Sequence, residues 1–244
     1  MVNFRIKVAN KVFDINAFNE STKKYCGGFL SEEEKNRLLT EINPNEDYKD
    51  LAPSKKQYDA LTLFKNCERV LDYGCGSGWA SIIMAKNGAK KIDAVDVAPN
   101  SIAMVDLYKQ AFNLGKEINA YRIDSDYLKT IDDNVYDGFF SSNVVDVIPL
   151  DMAKEIIKES ARITKTGAVV IYSFNYYIEP SIMKERGFDI DGPHIYINGV
   201  LRLTALKDEE WLSLFSKYFK DVKLSYFAWA KEENERRRLF IMKK

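Results

Sequence analysis

The stretch Val70-Leu71-Asp72-Tyr73-Gly74-Cys75-Gly76-Ser77-Gly78-Trp79 decides how the chain is read. An apolar pair, an acid and three alternate glycines lead into Trp79-Ala80-Ser81-Ile82-Ile83-Met84-Ala85, which predicts a buried strand, a tight turn and a helix N-terminus. Glycine takes φ > 0 and lets the backbone approach a ligand, and a helix start presents unpaired N–H groups. The turn is therefore expected to receive a carboxylate, a ribose or a phosphate, with Asp72, Gly74, Cys75, Gly76 and Gly78 as binding positions. Cys75 reads there as a small residue. A turn that binds nothing is the competing reading of the glycines alone.

Spacing separates the ligand classes. The dinucleotide fingerprint is G-x-G-x-x-G, its third glycine allowing helix and strand to pack, whereas this chain has G-x-G-x-G. The run Leu71-Asp72-Tyr73-Gly74-Cys75-Gly76-Ser77-Gly78 resembles motif I of the class I S-adenosylmethionine-dependent methyltransferases. That resemblance covers residues 61–178, and the C-terminal helix and strands loosely. It implies a Rossmann-like α/β fold with a doubly wound, mostly parallel seven-stranded sheet. It also implies S-adenosyl-L-methionine as cofactor and S-adenosyl-L-homocysteine as product.

Outward from the turn, strands are expected at residues 70–73, 91–95, 119–123 and 136–142, alternating with helices at 79–86 and 99–114. A helix over 151–163 and an apolar strand over 167–174 follow. The rhythm then breaks at an insertion, residues 175–205, where Asn198-Gly199 between apolar runs predicts a hairpin with a type I′ turn. A helix over 208–218 and strands over 222–229 and 238–242 close the chain, an ending similar to the family's antiparallel last pair. Upstream, Val2, Phe4, Ile6 and Val8 alternate with polar residues, and with residues 12–15 they predict a hairpin. Ser31-Glu32-Glu33-Glu34 has the capping-box form ahead of a helix to about residue 42, and a helix from Pro53 to about Asn66 carries Tyr58, Leu61 and Phe64. Residues 1–60 are read as an N-terminal extension capping the site, and residues 61–244 as the methyltransferase-like domain.

Ligands of open α/β sheets bind at the carboxyl ends of the strands. Asp96, followed by Val97, ends the second strand, and the resemblance implies that it accepts the ribose hydroxyls; capping of the helix at Pro99 is the alternative. Asp124 ends the third strand and by resemblance meets the adenine amino group, with Ser125 beside it and Asp126 as the rival acid. The likeness of residues 136–143 to motif IV places Ser142, Asn143 and Val144 next to the methyl donor. Neither Asn-Pro-Pro-Tyr nor Pro-Cys stands there, as in enzymes that methylate adenine amino groups or cytosine C5. Ser173-Phe174-Asn175 replaces the acid pair of metal-dependent O-methyltransferases. His194, after Asp191-Gly192-Pro193, is the sole imidazole and the candidate general base, or else a hairpin-base residue. Tyr176, Tyr177, Phe188 and Tyr196 either line an apolar substrate pocket or pack the insertion.

Bulk properties narrow the partners. Lys plus Arg and Asp plus Glu both number 36 in 244 residues, so charge implies no nucleic acid, and a small-molecule acceptor fits better. The cluster over residues 232–238 interleaves acids with bases and reads as a solvated hairpin turn. Cys26, Cys67 and Cys75 lack metal-ligand spacing and suit a reducing cytoplasm, and no apolar run predicts an export signal or a membrane span. The expected activity is methyl transfer. An NAD-dependent oxidoreductase and a non-catalytic nucleotide-binding module are the alternatives.

Overall fold

Apolar runs bounded by glycine, asparagine and proline set most element boundaries. A computed structural model describes residues 5–8, 11–14, 31–41, 43, 47–230 and 232–244. The antiparallel strands β1 (Arg5–Val8) and β2 (Lys11–Asp14) form the expected N-terminal hairpin, and α1 (Glu32–Glu41) and α2 (Lys55–Leu61) follow. Val2, Phe4, Ile15, Cys26 and Ile42 of the sequence reading lie outside the described residues. Then come β3 (Val70–Tyr73), α3 (Trp79–Lys86), β4 (Ile92–Asp96), α4 (Pro99–Ala111), β5 (Ile118–Arg122), β6 (Tyr136–Ser142), α5 (Leu150–Ile163) and β7 (Thr164–Phe174). The insertion carries α6 (Pro180–Glu185), β8 (Asp189–Asp191), β9 (His194–Ile197) and β10 (Val200–Thr204). Helix α7 (Asp208–Phe215), β11 (Lys220–Phe227) and β12 (Arg237–Lys243) complete the chain.

Seven strands make one sheet in the order β11-β12-β7-β6-β3-β4-β5. The five from β7 to β5 run parallel, and β12 and β11 join antiparallel. The chain moves outward from β3 to β4 and β5, then returns to lay β6 on the other side of β3. Such a reversal leaves a crevice at the carboxyl ends of β3 and β6, where open α/β sheets bind ligands. Both faces are covered. Leu61, Phe64, Ile82, Ile83 and Val105 from α2, its following turn, α3 and α4 pack on one face, and Ile157, Trp211, Phe174, Phe215 and Phe240 gather on the other. Strand β3 is buried along its whole length, as parallel strands between two helix layers must be.

Several boundaries differ from the sequence reading for local reasons. Helix α2 starts two residues after Pro53 because Ser54 is its cap, its Oγ accepting the Gln57 N–H at 3.2 Å. It gives way to a 3₁₀ turn, Thr62–Phe64, and Asn66 at φ +67° stops any continuation. Asn198 and Gly199, at φ +53° and +74°, form the expected left-handed hairpin turn. Strand β8 was not expected: its three residues, two of them acidic, form a strand only by pairing with β9. Among the described residues no helix is long and apolar enough to cross a membrane.

Candidate functional site

The glycine turn is pinned at both ends. Gly74 and Cys75 both donate their N–H groups to Val95 O, at 2.8 and 3.0 Å, and Gly78 N–H closes onto Cys75 O at 2.8 Å. All three glycines have left-handed φ, +73°, +54° and +81°. Their surroundings differ. A Cβ on Gly74 would lie 2.2 Å from Val144 Cγ2, and one on Gly78 would lie 2.7 Å from Val105 Cγ2. A Cβ on Gly76 would meet nothing within 4 Å. Packing therefore demands the outer glycines, while the middle one borders open space that a side chain would fill. Cys75 is buried in the core beside it and offers the site no more than backbone.

Two acids sit under and beside this turn. Asp72 is 1% exposed and accepts the Ser81 hydroxyl at 2.6 Å, so it holds the start of α3 from below. Burial pushes its pKa up to about 7, with the Asp96 charge adding to the rise. Asp72 thus supports the loop from within. Asp96 divides its oxygens, Oδ2 accepting Gly76 N–H at 2.9 Å and Oδ1 accepting Ala98 N–H at 2.8 Å. It therefore ties the glycine turn to the residue that starts α4, close to the capping role the sequence offered for it. Burial raises its pKa against these N–H groups, which lower it. Val97 follows half-buried, its carbonyl accepting Arg122 Nε at 3.0 Å.

Asp124 is exposed and turns the chain after β5 by accepting Asp126 N–H at 3.0 Å, with Ser125 half-buried between them. Asp126 is held by Lys129 at 2.9 Å. Tyr73, the last residue of β3, escaped the sequence reading. Burial first, then the charges of Asp96 and Asp124, raise its pKa, so its phenol stays protonated between the two carboxylates. Its position at the carboxyl end of the central strand was the signal.

At the end of β6, Ser142 is half-buried and Asn143 takes a left-handed φ of +54°. Asn143 N–H donates to Ser173 O at 2.7 Å, while its Oδ1 is buried with no hydrogen-bond partner. Val144, next in the chain, is the residue that seals Gly74. An orphaned acceptor here and the open space at Gly76 fit a ligand lying across the ends of β3 and β6. Behind them, buried Asp146 Oδ2 accepts Asn175 N–H at 2.7 Å and Asn175 Nδ2 at 2.9 Å. Gln57 of α2 reaches Ser173 Oγ at 2.9 Å, tying that helix to the end of β7.

His194 is buried, and its Nε2 accepts the Leu150 N–H at the start of α5, at 3.0 Å. Burial lowers its pKa, and a contact with the Asp191 backbone only partly opposes this. With its lone pair committed to an amide, it is a clamp between β9 and α5, which is the hairpin-base alternative of the sequence reading. Thr204 Oγ1 donates to Ile148 O at 2.5 Å and clamps the same loop from β10. Tyr196 is buried in the main core, and Phe188 packs within the insertion's own cluster, so neither lines a substrate pocket.

Tyr176 and Tyr177 do line a cleft of about 210 Å³, together with Tyr226, Arg236 and Arg238. Here the expectation of a solvated turn over residues 232–238 holds for the exposed residues 233–236 and fails at Arg237 and Arg238, which start β12 and are 6% and 1% exposed. The chain returning from β7 covers them: Arg237 Nη1 donates to Asn175 Oδ1 at 2.8 Å, and Arg238 Nε to Asn175 O at 2.9 Å. Arg237 also forks onto Glu232 at 2.7–2.9 Å and stacks on Trp229.

Residues 70–167 match the model of a family described as a methyltransferase domain. Among curated relatives, the ribosomal protein L11 methyltransferase of Ruminiclostridium cellulolyticum is 27% identical over 155 residues, covering 63% of this chain and 44% of that protein. The chain spans less than half the length of the curated relatives it matches. In structure it is similar to an S-adenosylmethionine-dependent methyltransferase from Mesorhizobium loti, with TM-score 0.59, 17% identity, and 80% of this chain and 100% of that one covered. The N-methyltransferase NodS from Bradyrhizobium japonicum, solved with S-adenosyl-L-homocysteine, gives TM-score 0.57 at 12% identity, covering 87% and 97%.

Proposed function

We propose that the chain, whose residues 70–167 match a methyltransferase domain, is a class I S-adenosylmethionine-dependent enzyme that uses that donor to methylate a small-molecule acceptor. The observation that carries this reading is the open space at Gly76, between two glycines that packing has sealed. When bound, S-adenosylmethionine supplies a methyl group on a sulfonium already activated for displacement. The chain's residues then need only to bind and align. Gly76 and Cys75 present backbone to the donor, and Asp96 accepts the ribose hydroxyls with lone pairs left over from Gly76 and Ala98. Asp124, with Val97 and Ser125 beside it, takes the adenine amino group. Asn143 Oδ1, the orphaned acceptor, and Ser142 and Val144 face the transfer point.

Of the N-terminal extension, α2 borders the site through Gln57, and the insertion, residues 175–205, selects the acceptor. A cleft of about 210 Å³ next to Asn175 suits a small molecule. The ribosomal protein named for the Ruminiclostridium relative is the rival acceptor class, and it belongs to a protein of which this chain spans 44%. General-base help is needed only where the acceptor must lose a proton, and His194 does not supply it. A cytoplasmic location agrees with Cys67 and Cys75 being free thiols. Calorimetric titration with S-adenosylhomocysteine tests the donor site, and release of S-adenosylhomocysteine from S-adenosylmethionine with candidate acceptors tests the reaction. Absence of binding by the folded parent protein refutes the reading.

A further inference from the structure

Arginine is rarely buried without its donors satisfied, and here the exception lines a cleft. Arg238 is 1% exposed; its Nε donates to Asn175 O and its Nη1 to Leu206 O at 2.8 Å, but Nη2 is buried with no hydrogen-bond partner. Asp146 is near enough to feel its charge, yet among the described residues the two form no ion pair. Arg236, in the same cleft, stacks its guanidinium 4.6 Å from the centre of the Tyr176 ring. Nearby carboxylates are engaged elsewhere: Glu235 by Lys56 at 2.6 Å, Glu232 by Arg237 at 2.7 Å, and Asp208 by the Tyr226 hydroxyl at 2.6 Å and Arg238 at 3.4 Å. The cleft therefore holds Arg236 and, with Nη2 still unpartnered beside its pair with Asp208, Arg238, walled by Tyr176 and Tyr226.

Strand register places this cleft relative to the transfer point. Ser142 pairs with Ser173, and Ser173 pairs with Leu239, the neighbour of Arg238. Two inter-strand steps of 4.7–4.9 Å put the start of β12 about 10 Å from the end of β6.

We propose that the cleft is the acceptor's anchoring subsite and that it takes a carboxylate, held by Arg236 and Arg238 about 10 Å from the atom that is methylated. The acceptor is then an aromatic acid or similar molecule with its anionic end on the arginines and its flat body against the tyrosines. This rests on the methyltransferase reading and adds the acceptor's chemical class.

The test titrates the full chain, saturated with S-adenosylhomocysteine, with three probes of one shape: 3-(4-hydroxyphenyl)propanoate, the neutral 4-ethylphenol and the cationic tyramine. The acid is expected to bind at least tenfold tighter than either of the others. Arg236→Gln, which changes only a cleft side chain, is expected to remove that preference while the affinity for S-adenosylhomocysteine stays within twofold. Arg238→Lys, which keeps the charge but not the fork, is expected to weaken the acid and not 4-ethylphenol. Equal binding of acid and neutral probe, tighter binding of tyramine, no binding of the acid, or a preference that survives Arg236→Gln each overturns the proposal. Failure of the parent chain to bind S-adenosylhomocysteine overturns the donor-site reading instead.

Discussion

Substituting the three glycines of the turn one at a time separates packing from ligand space. Gly76→Ala places a methyl where nothing lies within 4 Å, so its cost to the unliganded fold is the left-handed backbone at φ +54°, about 1–2 kcal/mol. For a chain of this length that is a fall in Tm of about 2–8 °C. Gly74→Ala carries the same backbone cost and also drives a methyl to 2.2 Å from Val144 Cγ2, where overpacking adds about 1–3 kcal/mol. The order for ligand binding is different. A donor using the space at Gly76 collides with any side chain there, and Gly76→Val should lose at least about a hundredfold in affinity, about 2.7 kcal/mol. Circular dichroism would establish that Gly76→Ala and Gly76→Val are folded, and calorimetry with S-adenosylhomocysteine would follow. Folded Gly76 variants that bind within threefold of the parent would falsify the assignment of this space to the donor.

Asp96→Ala should weaken S-adenosylhomocysteine by about 1.5–3 kcal/mol, the range for hydrogen bonds to a charged group. It should also lower stability, because Gly76 and Ala98 N–H lose their acceptor; unchanged affinity in calorimetry would reduce Asp96 to a cap. His194→Ala should leave donor affinity unchanged and destabilise the fold by about 1–3 kcal/mol, since Leu150 N–H loses its partner. Because burial holds the folded pKa of His194 below its ordinary value, the stability it contributes is full above about pH 6.5 and drains away as pH falls through the folded value. Urea unfolding at pH 5 and 7.5 should show His194→Ala gaining stability relative to the parent as pH falls, and a difference that is the same at both values would refute this role. Asp72 has the opposite sign: its folded pKa is raised to about 7, so its protonated form is favoured in the fold, and stability is lost as pH rises through that value. Asp72→Asn should flatten the parent's decline between pH 6 and 8, and an equal decline in both proteins would place Asp72's titration elsewhere.

The glycine turn and the elements around it were legible in the sequence because their determinants are local. Buried elements read as apolar runs, so the strands at 70–73 and 136–142 and the helix at 79–86 keep the bounds the pattern gives them. Asp96 and Asp124 were singled out by a positional rule, one ending a parallel strand and the other standing two residues past the next, and their roles by the resemblance. The role of His194 was not legible, for its partner Leu150 is 44 residues away and is a backbone amide, which no side-chain pattern encodes. Gln57 meets Ser173 across 116 residues for the same reason. The charge cluster over residues 232–238 misled at Arg237 and Arg238 because interleaved signs look solvated, while burial depends on what else folds over it.

That contrast follows from how the sheet is assembled. The glycine turn lies at the ends of β3 and β4, which follow each other in sequence, and is fixed by bonds to Val95 about twenty residues on. The acceptor side is assembled from the ends of β7, β11 and β12 and from α7, so Asn175 meets Arg237 and Arg238 across more than sixty residues. The two halves meet at the loop after β6, where Asn143 leaves an acceptor unpaired and Val144 closes over Gly74. A change in the insertion that shifts this loop, which His194 and Thr204 clamp at Leu150 and Ile148, therefore reaches the donor turn through Val144 packing, without touching a glycine.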